Sequence, residues 1–275
     1  MPPTTIGILT PNGLQAVPYS ADTLNVAAPF EPDGIYTVAS TFNRDHVLLL
    51  DAHLDRMEES ARLEGIALHL DRTALRSALR ALIERSDYPN SRFRITISRQ
   101  DPTHIILSLE PFAGLPESVR QSGVHVATIP ITRRNPRAKT NDWMKRRAEA
   151  KAAIPDAYEG IILNEVGQLL EGMGSNFYAI RGGVLYTAGD DLVLSGISRK
   201  IVQQVAPAIV QVIYQPIALS DVNTLAEAFL TSSSRGVVPI VQIDDIPLGT
   251  GQVGPLTRQI QAAYDAWVTD HLEPI

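Results

Sequence analysis

A mixed α+β fold in two domains is what this sequence predicts, on three observations. Strand-like and helical segments alternate through the first third of the chain. A stretch with prolines, a glycine and no periodicity follows, and after it β-branched runs dominate.

The elements follow in order. Ile35–Phe42 is rich in β-branched and aromatic residues, and Val47–Leu50 follows Asn43-Arg-Asp45, a hairpin turn. Ala52–Leu63 is predicted helical, with Leu54, Met57 and Ala61 on one face and Gly65 as its stop. Asp71 caps a second helix carrying Leu75, Leu79, Leu82 and Ile83 at helical spacing. Strands at Phe93–Ser98 and Ile105–Leu109 flank the turn Gln100-Asp-Pro-Thr103, which completes a small α+β domain over residues 1–110. Residues 111–121, beginning Pro111-Phe-Ala-Gly-Leu-Pro-Glu117, are predicted as the linker, and 122–275 as a larger, strand-rich domain. In it, strands are expected at 124–130, 160–163, 176–180, 184–186, 209–213 and 237–243. Helices are expected at Asn141–Ala153, Ser198–Ala206, Asp221–Ala226 and Pro255–His271.

Composition excludes several classes of function. With 44% apolar and 20% charged residues the chain has the make-up of an ordinary soluble globule, and the cytoplasm is the default location. No window approaches the roughly 20 apolar residues of a membrane span, and the opening Met1–Ile6 has no signal-peptide pattern. The absence of cysteine removes disulfides, thiol nucleophiles and thiolate metal sites. A net charge of −6 argues against a nucleic-acid binder, and six scattered histidines without a close pair argue against a metal.

The segment from Lys139 to Ser198 carries the chemistry. Lys139 follows a basic run, Arg133-Arg-Asn-Pro-Arg137, and alone reads as a surface lysine. Glu171 ends a short apolar strand before Gly172-Met-Gly174. Such a carboxylate is solvated, caps something, or turns inward to pair with a protonated pyridine nitrogen. Ser195-Gly-Ile-Ser-Arg199 opens a helix whose free N–H groups and dipole suit a phosphate; Gly196 allows close approach and Ser198 adds a hydroxyl. Thr231-Ser-Ser-Ser234 is a polar turn or a second contact to the same phosphate. One amine, one acid and one phosphate turn are the parts that hold an aldehyde cofactor with a ring nitrogen and a phosphate.

The order and spacing of these motifs resemble the class IV (fold type IV) pyridoxal-phosphate aminotransferases of branched-chain and D-amino-acid type, a family that also contains aminodeoxychorismate lyase. The resemblance runs from about Gly34 to Gly254. Asp33-Gly-Ile-Tyr-Thr-Val38 is similar to the family's early strand, and His53, Arg56, Met57 and Ser60 to its H-x-x-R-(L/M)-x-x-S helix. Leu170-Glu-Gly with Ser175-Asn176, Leu194-Ser-Gly-Ile-Ser-Arg199 and Thr231–Ser234 resemble its E-x-x-x-S-N, L-x-G-I-T-R and late phosphate segments.

The resemblance implies a homodimer with the active site at the domain interface, and pyridoxal 5'-phosphate as the cofactor. It makes Lys139 the Schiff-base lysine that then carries the proton at Cα, Arg56 a phosphate ligand and Glu171 the partner of the ring nitrogen. It places Ser175 and Asn176 beside the cofactor and Leu194 on one ring face. Gly196, Ile197, Ser198, Ser232 and Ser233 surround the phosphate, with Tyr36 and Arg99 on the substrate side. The implied reaction moves an amino group from an amino acid or amine to a 2-oxo acid. The alternative is a lyase that releases pyruvate from an aminodeoxychorismate-like substrate, and a third reading is a non-catalytic homologue. A neutral lysine is needed for either reaction, and desolvation beside cationic groups lowers its pKa. The chain departs from the family at Phe30-Glu-Pro-Asp-Gly34 and at Thr140-Asn-Asp-Trp-Met144, where Asn141 or Trp143 replaces a familiar tyrosine. Ser98-Arg-Gln100 sits where relatives carry substrate-binding arginines, and His104 lies just beyond.

Overall fold

The computed structural model describes residues 4–133 and 135–275; Met1–Pro3 and Arg134, one residue of the basic run, lie outside it. The chain opens with a hairpin, β1 (Thr5–Thr10) and β2 (Gly13–Ala16), and a short helix, α1 (Leu24–Ala27). Then come β3 (Gly34–Phe42), β4 (His46–Leu48), α2 (Leu50–Leu63), α3 (Arg72–Ser86), β5 (Ser91–Ser98) and β6 (Ile105–Pro111). The next elements are α4 (Glu117–Ser122), β7 (Val124–Ile129), α5 (Asn141–Ala152), β8 (Gly160–Leu163), β9 (Gln168–Gly172), β10 (Ser175–Arg181) and β11 (Val184–Tyr186). The last are α6 (Ile197–Val205), β12 (Gln211–Ile213), β13 (Ile217–Ala218), β14 (Glu227–Ser232), β15 (Gly236–Ile243), β16 (Ile246–Pro247), α7 (Pro255–Asp270) and β17 (Leu272–Pro274).

Contacts divide the chain into two units. The first is Met1–Gly114 with Ala138–Trp143 and His271–Ile275; the second is Leu115–Arg137 with Met144–Asp270.

In the first unit a seven-stranded sheet runs β17-β4-β3-β5-β6-β1-β2. Alternation along β3 and β5 sends Ile35, Phe93 and Ile95 to a core shared with Leu54 and Met57 of α2 and Leu79 of α3. The helices form for the reasons their sequences give: Asp71 accepts from the Ala74 N–H at 2.9 Å and so caps α3. The alternate residues of β5 and β6 include Arg94, Thr96 and Ser108, which are polar yet buried. All three donate to the Glu31 carboxylate, at 2.6, 2.5 and 2.9 Å, so this buried charge is both paired and hydrogen-bonded.

The second unit has a ten-stranded sheet whose pairings close on themselves. β10 pairs β14, β14 pairs β15, β15 pairs β7, β7 pairs β8, β8 pairs β9, and β9 returns to β10. Closure leaves no open edge within this ring. Val126, Ile161, Phe177, Leu230, Val238 and Ile240 belong to its core. The closing pair sets Glu171 opposite Asn176, which in turn stands opposite Thr231. Three residues of the motifs are thus cross-strand neighbours through the ladder alone.

Several sequence expectations are corrected. Leu50 is the first residue of α2 and not the end of a strand, because Leu49 takes a left-handed φ of 49° that turns the chain. Glu273 accepts the Leu50 N–H at 3.0 Å. Residues expected as linker include the last residue of β6 and all but the last residue of α4, which ends at Gly123 with φ 72°. The helix expected at 221–226 is a 3-10 turn, Leu219–Thr224, and the strand expected from 209 starts at Gln211 after a 3-10 turn at Ala206–Ala208. Residues 138–143 and 271–275, assigned by sequence to the larger domain, belong to the first unit. Main-chain pairing is the cause: Tyr36 N–H donates to Lys139 C=O at 3.1 Å, Ile35 bridges Thr140, and β17 pairs β4.

Candidate active site

Lys139, Arg56, Tyr36 and Arg99 belong to the first unit; the remaining predicted residues belong to the second.

The Lys139 Nζ stands 4.7 Å from the centre of the Tyr36 ring, close enough for the ring face to attract its charge. Tyr36 is 1 % exposed and paired across the sheet with Thr96. Arg56, on α2, reaches the adjacent strand, where its Nη2 donates to Thr37 Oγ1 at 2.8 Å. The same hydroxyl lies 2.9 Å from Nδ1 of buried His53. Position i to i+3 on a helix puts His53 and Arg56 on one face, which explains the motif spacing. Ser60, one turn further, donates to Arg56 C=O at 2.8 Å and accepts from Lys139 N–H at 3.2 Å. Arg99 has other partners. It is half-exposed and donates to the Glu64 carboxylate and carbonyl, both at 2.9 Å, and to Asp33 at 3.3 Å.

In the second unit Glu171 is 3 % exposed. Its Oε1 accepts from Arg133 at 3.0 Å and its Oε2 from Leu194 N–H at 3.1 Å. Asn176 Nδ2 donates to Leu194 C=O at 2.8 Å. The closing strand pair therefore grips Leu194 by both sides of its main chain and aims the start of α6. A Cβ at position 196 would come 2.3 Å from Asn176 Oδ1, so only glycine lets this segment lie so close. Gly196 caps α6 without a side chain, and Ile197 and Ser198 sit in its first turn, where N–H groups have no partner within the helix. Arg199 is fully buried and fixes the preceding loop through Asp190 at 2.7 Å, Thr187 at 2.8 Å and Ala188 C=O at 2.6 Å.

Four partners escaped the sequence reading. Arg133 was legible only as one charge in a basic run. Tyr264 of α7 donates to Ser198 Oγ at 2.8 Å, and burial pushes its hydroxyl pKa up, so it remains a donor. Arg235, just past the hydroxyl turn, donates to Ser232 Oγ at 2.9 Å, to Glu159 at 2.6 Å and to Gly174 C=O at 3.2 Å. Glu159 in turn accepts from Gly174 N–H at 2.6 Å and from Ser175 Oγ at 3.0 Å. Burial pushes the Glu159 carboxyl up, but the Arg235 charge and these donors outweigh it and hold it below the ordinary range. Ser233 is half-buried in the same turn. The pair Arg235–Glu159 thus joins the hydroxyl turn to the Gly172–Ser175 turn.

Tyr264→Phe removes one neutral hydrogen bond from buried Ser198. Urea unfolding is expected to show a loss of about 1 kcal/mol, and no change would mean that the hydroxyl is held by other groups.

Among the described residues no group of three or more His, Asp or Glu could hold a metal ion, and no helix is long and apolar enough to cross a membrane.

A family model described as amino-transferase class IV matches residues 34–243. The chain is 27% identical over 237 residues to a branched-chain-amino-acid aminotransferase of Pseudomonas aeruginosa, covering 79% of this chain and 77% of that protein. It is 27% identical over 248 residues to a D-alanine aminotransferase of Bacillus licheniformis, covering 84% and 86%. The solved structure of the T.th. branched-chain amino acid aminotransferase with pyridoxamine 5'-phosphate superposes with a TM-score of 0.81 at 20% identity, covering 98% of each chain.

Proposed function

The chain belongs to the class IV aminotransferase family, and from that premise we propose that Lys139 is the amine through which it exchanges amino groups between an amino acid and a 2-oxo acid. It is a pyridoxal 5'-phosphate-dependent transaminase. The observation that carries the reading of the site is the double grip of Glu171 and Asn176 on Leu194, which aims the first turn of α6.

The residues fit the cofactor. A helix start capped by glycine, with the buried Ser198 hydroxyl in its first turn, suits a phosphate. A buried carboxylate suits a cationic ring nitrogen, and a lysine beside an aromatic face suits an aldehyde. Pyridoxal 5'-phosphate, when bound, supplies a carbonyl that bonds amines and a ring that takes up electron density from Cα.

Each residue then has a definite task. Lys139 Nζ would hold the cofactor's aldehyde and, as a neutral amine, would carry the proton from the substrate Cα to the aldehyde carbon. Tyr36 restricts where that amine sits. Glu171 favours the protonated ring nitrogen through opposite charge. The N–H groups of Ile197 and Ser198 and the hydroxyls of Ser198, Ser232 and Ser233 would hold the phosphate, and the resemblance gives Arg56 the same task. Ser175 and Asn176 hold the surrounding turns, Gly196 would permit the cofactor's approach, and Leu194 would flank it. Arg99 is assigned to the substrate side of the pocket on the motif alone. The amino donor is of the neutral, aliphatic kind named for the two relatives, which supports a branched-chain amino acid or D-alanine. A homodimer belongs to the same proposal on the strength of the resemblance, and a cytoplasmic location on composition.

Purified protein mixed with the cofactor is expected to turn yellow and to bleach on addition of L-leucine, L-valine or D-alanine. Regeneration by a 2-oxo acid completes the cycle. Failure to take up the cofactor, or uptake with no response to any amino acid, sinks the assignment; pyruvate release from aminodeoxychorismate with no 2-oxo acid present favours the lyase.

A further inference from the structure

Ser60 is 1 % exposed on the apolar side of α2, beside Leu54, Met57 and Ala61. A hydroxyl in such a place is costly unless hydrogen-bonded. Its proton goes to Arg56 C=O, the residue four positions back, which is the usual outlet for a serine inside a helix. Its oxygen accepts the N–H of Lys139, a residue 79 positions away in sequence. One hydroxyl therefore joins the main chain of the arginine assigned to phosphate to the main chain of the lysine assigned to the aldehyde.

The lysine is held on its other side as well. Its C=O accepts from Tyr36 N–H at 3.1 Å, Thr140 bridges Ile35, and Asn141 Nδ2 donates to Pro32 C=O at 2.8 Å. These contacts refer the segment to β3 and the loop before it. Ser60 refers it to α2, the helix that carries Arg56.

We propose that Ser60 is a positioning residue that sets the spacing between the phosphate anchor Arg56 and the amine of Lys139. The proposal rests on the roles given to those two residues above. Phosphate anchoring accelerates the reaction of the aldehyde with Lys139 only if both are fixed on one frame, and a displacement of about 1 Å costs roughly 10²-fold in such a reaction. Loss of the hydroxyl frees the lysine segment from α2 while leaving the Arg56 side chain, with its bond to Thr37, in place.

The test compares full-length wild type, Ser60→Ala and Ser60→Thr. Each is treated with pyridoxal 5'-phosphate or with pyridoxal, reduced with borohydride, and analysed by mass spectrometry for label on Lys139. The ratio of the two labelling rates measures the benefit of the phosphate. Ser60→Ala is expected to lower that ratio by about 10-fold or more, and Ser60→Thr, which keeps the hydroxyl, to hold it within about two-fold. Amide hydrogen exchange at Lys139 should speed up in Ser60→Ala by about 10-fold while the interior of α2 stays protected. An unchanged ratio in Ser60→Ala overturns the proposal. So does an equal loss with both aldehydes together with a lower melting temperature, which is the mark of a merely structural residue. If Ser60→Ala does not fold, exchange in the wild type decides: protection of Lys139 N–H supports the tie and free exchange overturns it. Absence of label on Lys139 in the wild type removes the lysine assignment itself, and the proposal with it.

Discussion

Lys139→Ala is expected to lower the transamination rate by about 10⁴-fold, the upper range for removal of a proton-transferring group. The fold should survive, because main-chain contacts that seat this residue do not need its side chain. Its N–H donates to Ser60 and its C=O accepts from Tyr36, and both persist when the side chain is cut to a methyl group. Cofactor uptake should persist in part through the phosphate, which the lysine does not bind. A small added amine such as methylamine should restore a fraction of the turnover by supplying a base at the vacated position. Steady-state rates together with a thermal melt check this. A variant that melts like the wild type and keeps more than a hundredth of its rate removes Lys139 from the mechanism.

Arg235→Met is expected to cost the second unit about 3 kcal/mol in urea unfolding. Breaking a buried pair typically costs about 3–5 kcal/mol, and the lower end applies because the Arg235 side chain keeps 25% of its exposure while Glu159 keeps 7%. Total stabilities of about 5–15 kcal/mol make this a large fraction. The loss arises at Glu159, which keeps a buried negative charge hydrogen-bonded by the Gly174 N–H and the Ser175 hydroxyl but without its guanidinium partner.

The pH dependence follows from the sign of the shift. In the wild type the Glu159 pKa is depressed on folding, so its contribution is complete above the unfolded carboxylate value. It is lost as pH falls through the lower folded value. In Arg235→Met burial acts without its main opponent and the pKa rises. The gap between the two proteins is then widest near neutrality and narrows in acid, as the variant's Glu159 takes up a proton. A gap that is constant with pH would place the loss in packing and not in charge. Adding Glu159→Gln to the variant should recover part of the loss, since a neutral amide is cheaper to bury than an unpaired carboxylate.

Arg235 and Glu159 also show where reading the sequence stops. The hydroxyl turn at Thr231–Ser234 is visible as a local cluster of one residue type. Arg235, which donates to that turn, pairs with Glu159 76 positions upstream in a segment with no motif, and no periodicity links the two. Arg133 and Glu171 are 38 positions apart, and Ser198 and Tyr264 are 66 apart. In each case one member belongs to a recognisable pattern and the other is an ordinary charge or aromatic. The misread elements have local causes. Leu49 takes a left-handed conformation that leucine rarely adopts, so nothing in its identity announces the turn. The short helix α4 spans six residues, too few to display a 3.6-residue period.

The sequence by itself determined the α+β class, the cap of α3, the apolar faces of α2 and α3, and the order of the motifs that place the chain among class IV aminotransferases. These rest on side-chain periodicity, capping and turn chemistry, which act over a few residues and can be read along the chain. The tertiary structure alone decided three further things. It assigned the Lys139 segment to the first unit, it closed the ring of strands at Glu171 and Asn176, and it tied Lys139 to α2 through Ser60. The first depends on main-chain hydrogen bonds between distant segments, the second on the long-range ladders that carry β10 round to β9, and the third on a main-chain N–H meeting a side-chain hydroxyl far away in sequence. Every non-proline residue carries the same N–H and C=O, so the sequence names the donors and acceptors but not their partners. The pairing is chosen only when the packed cores bring those segments together.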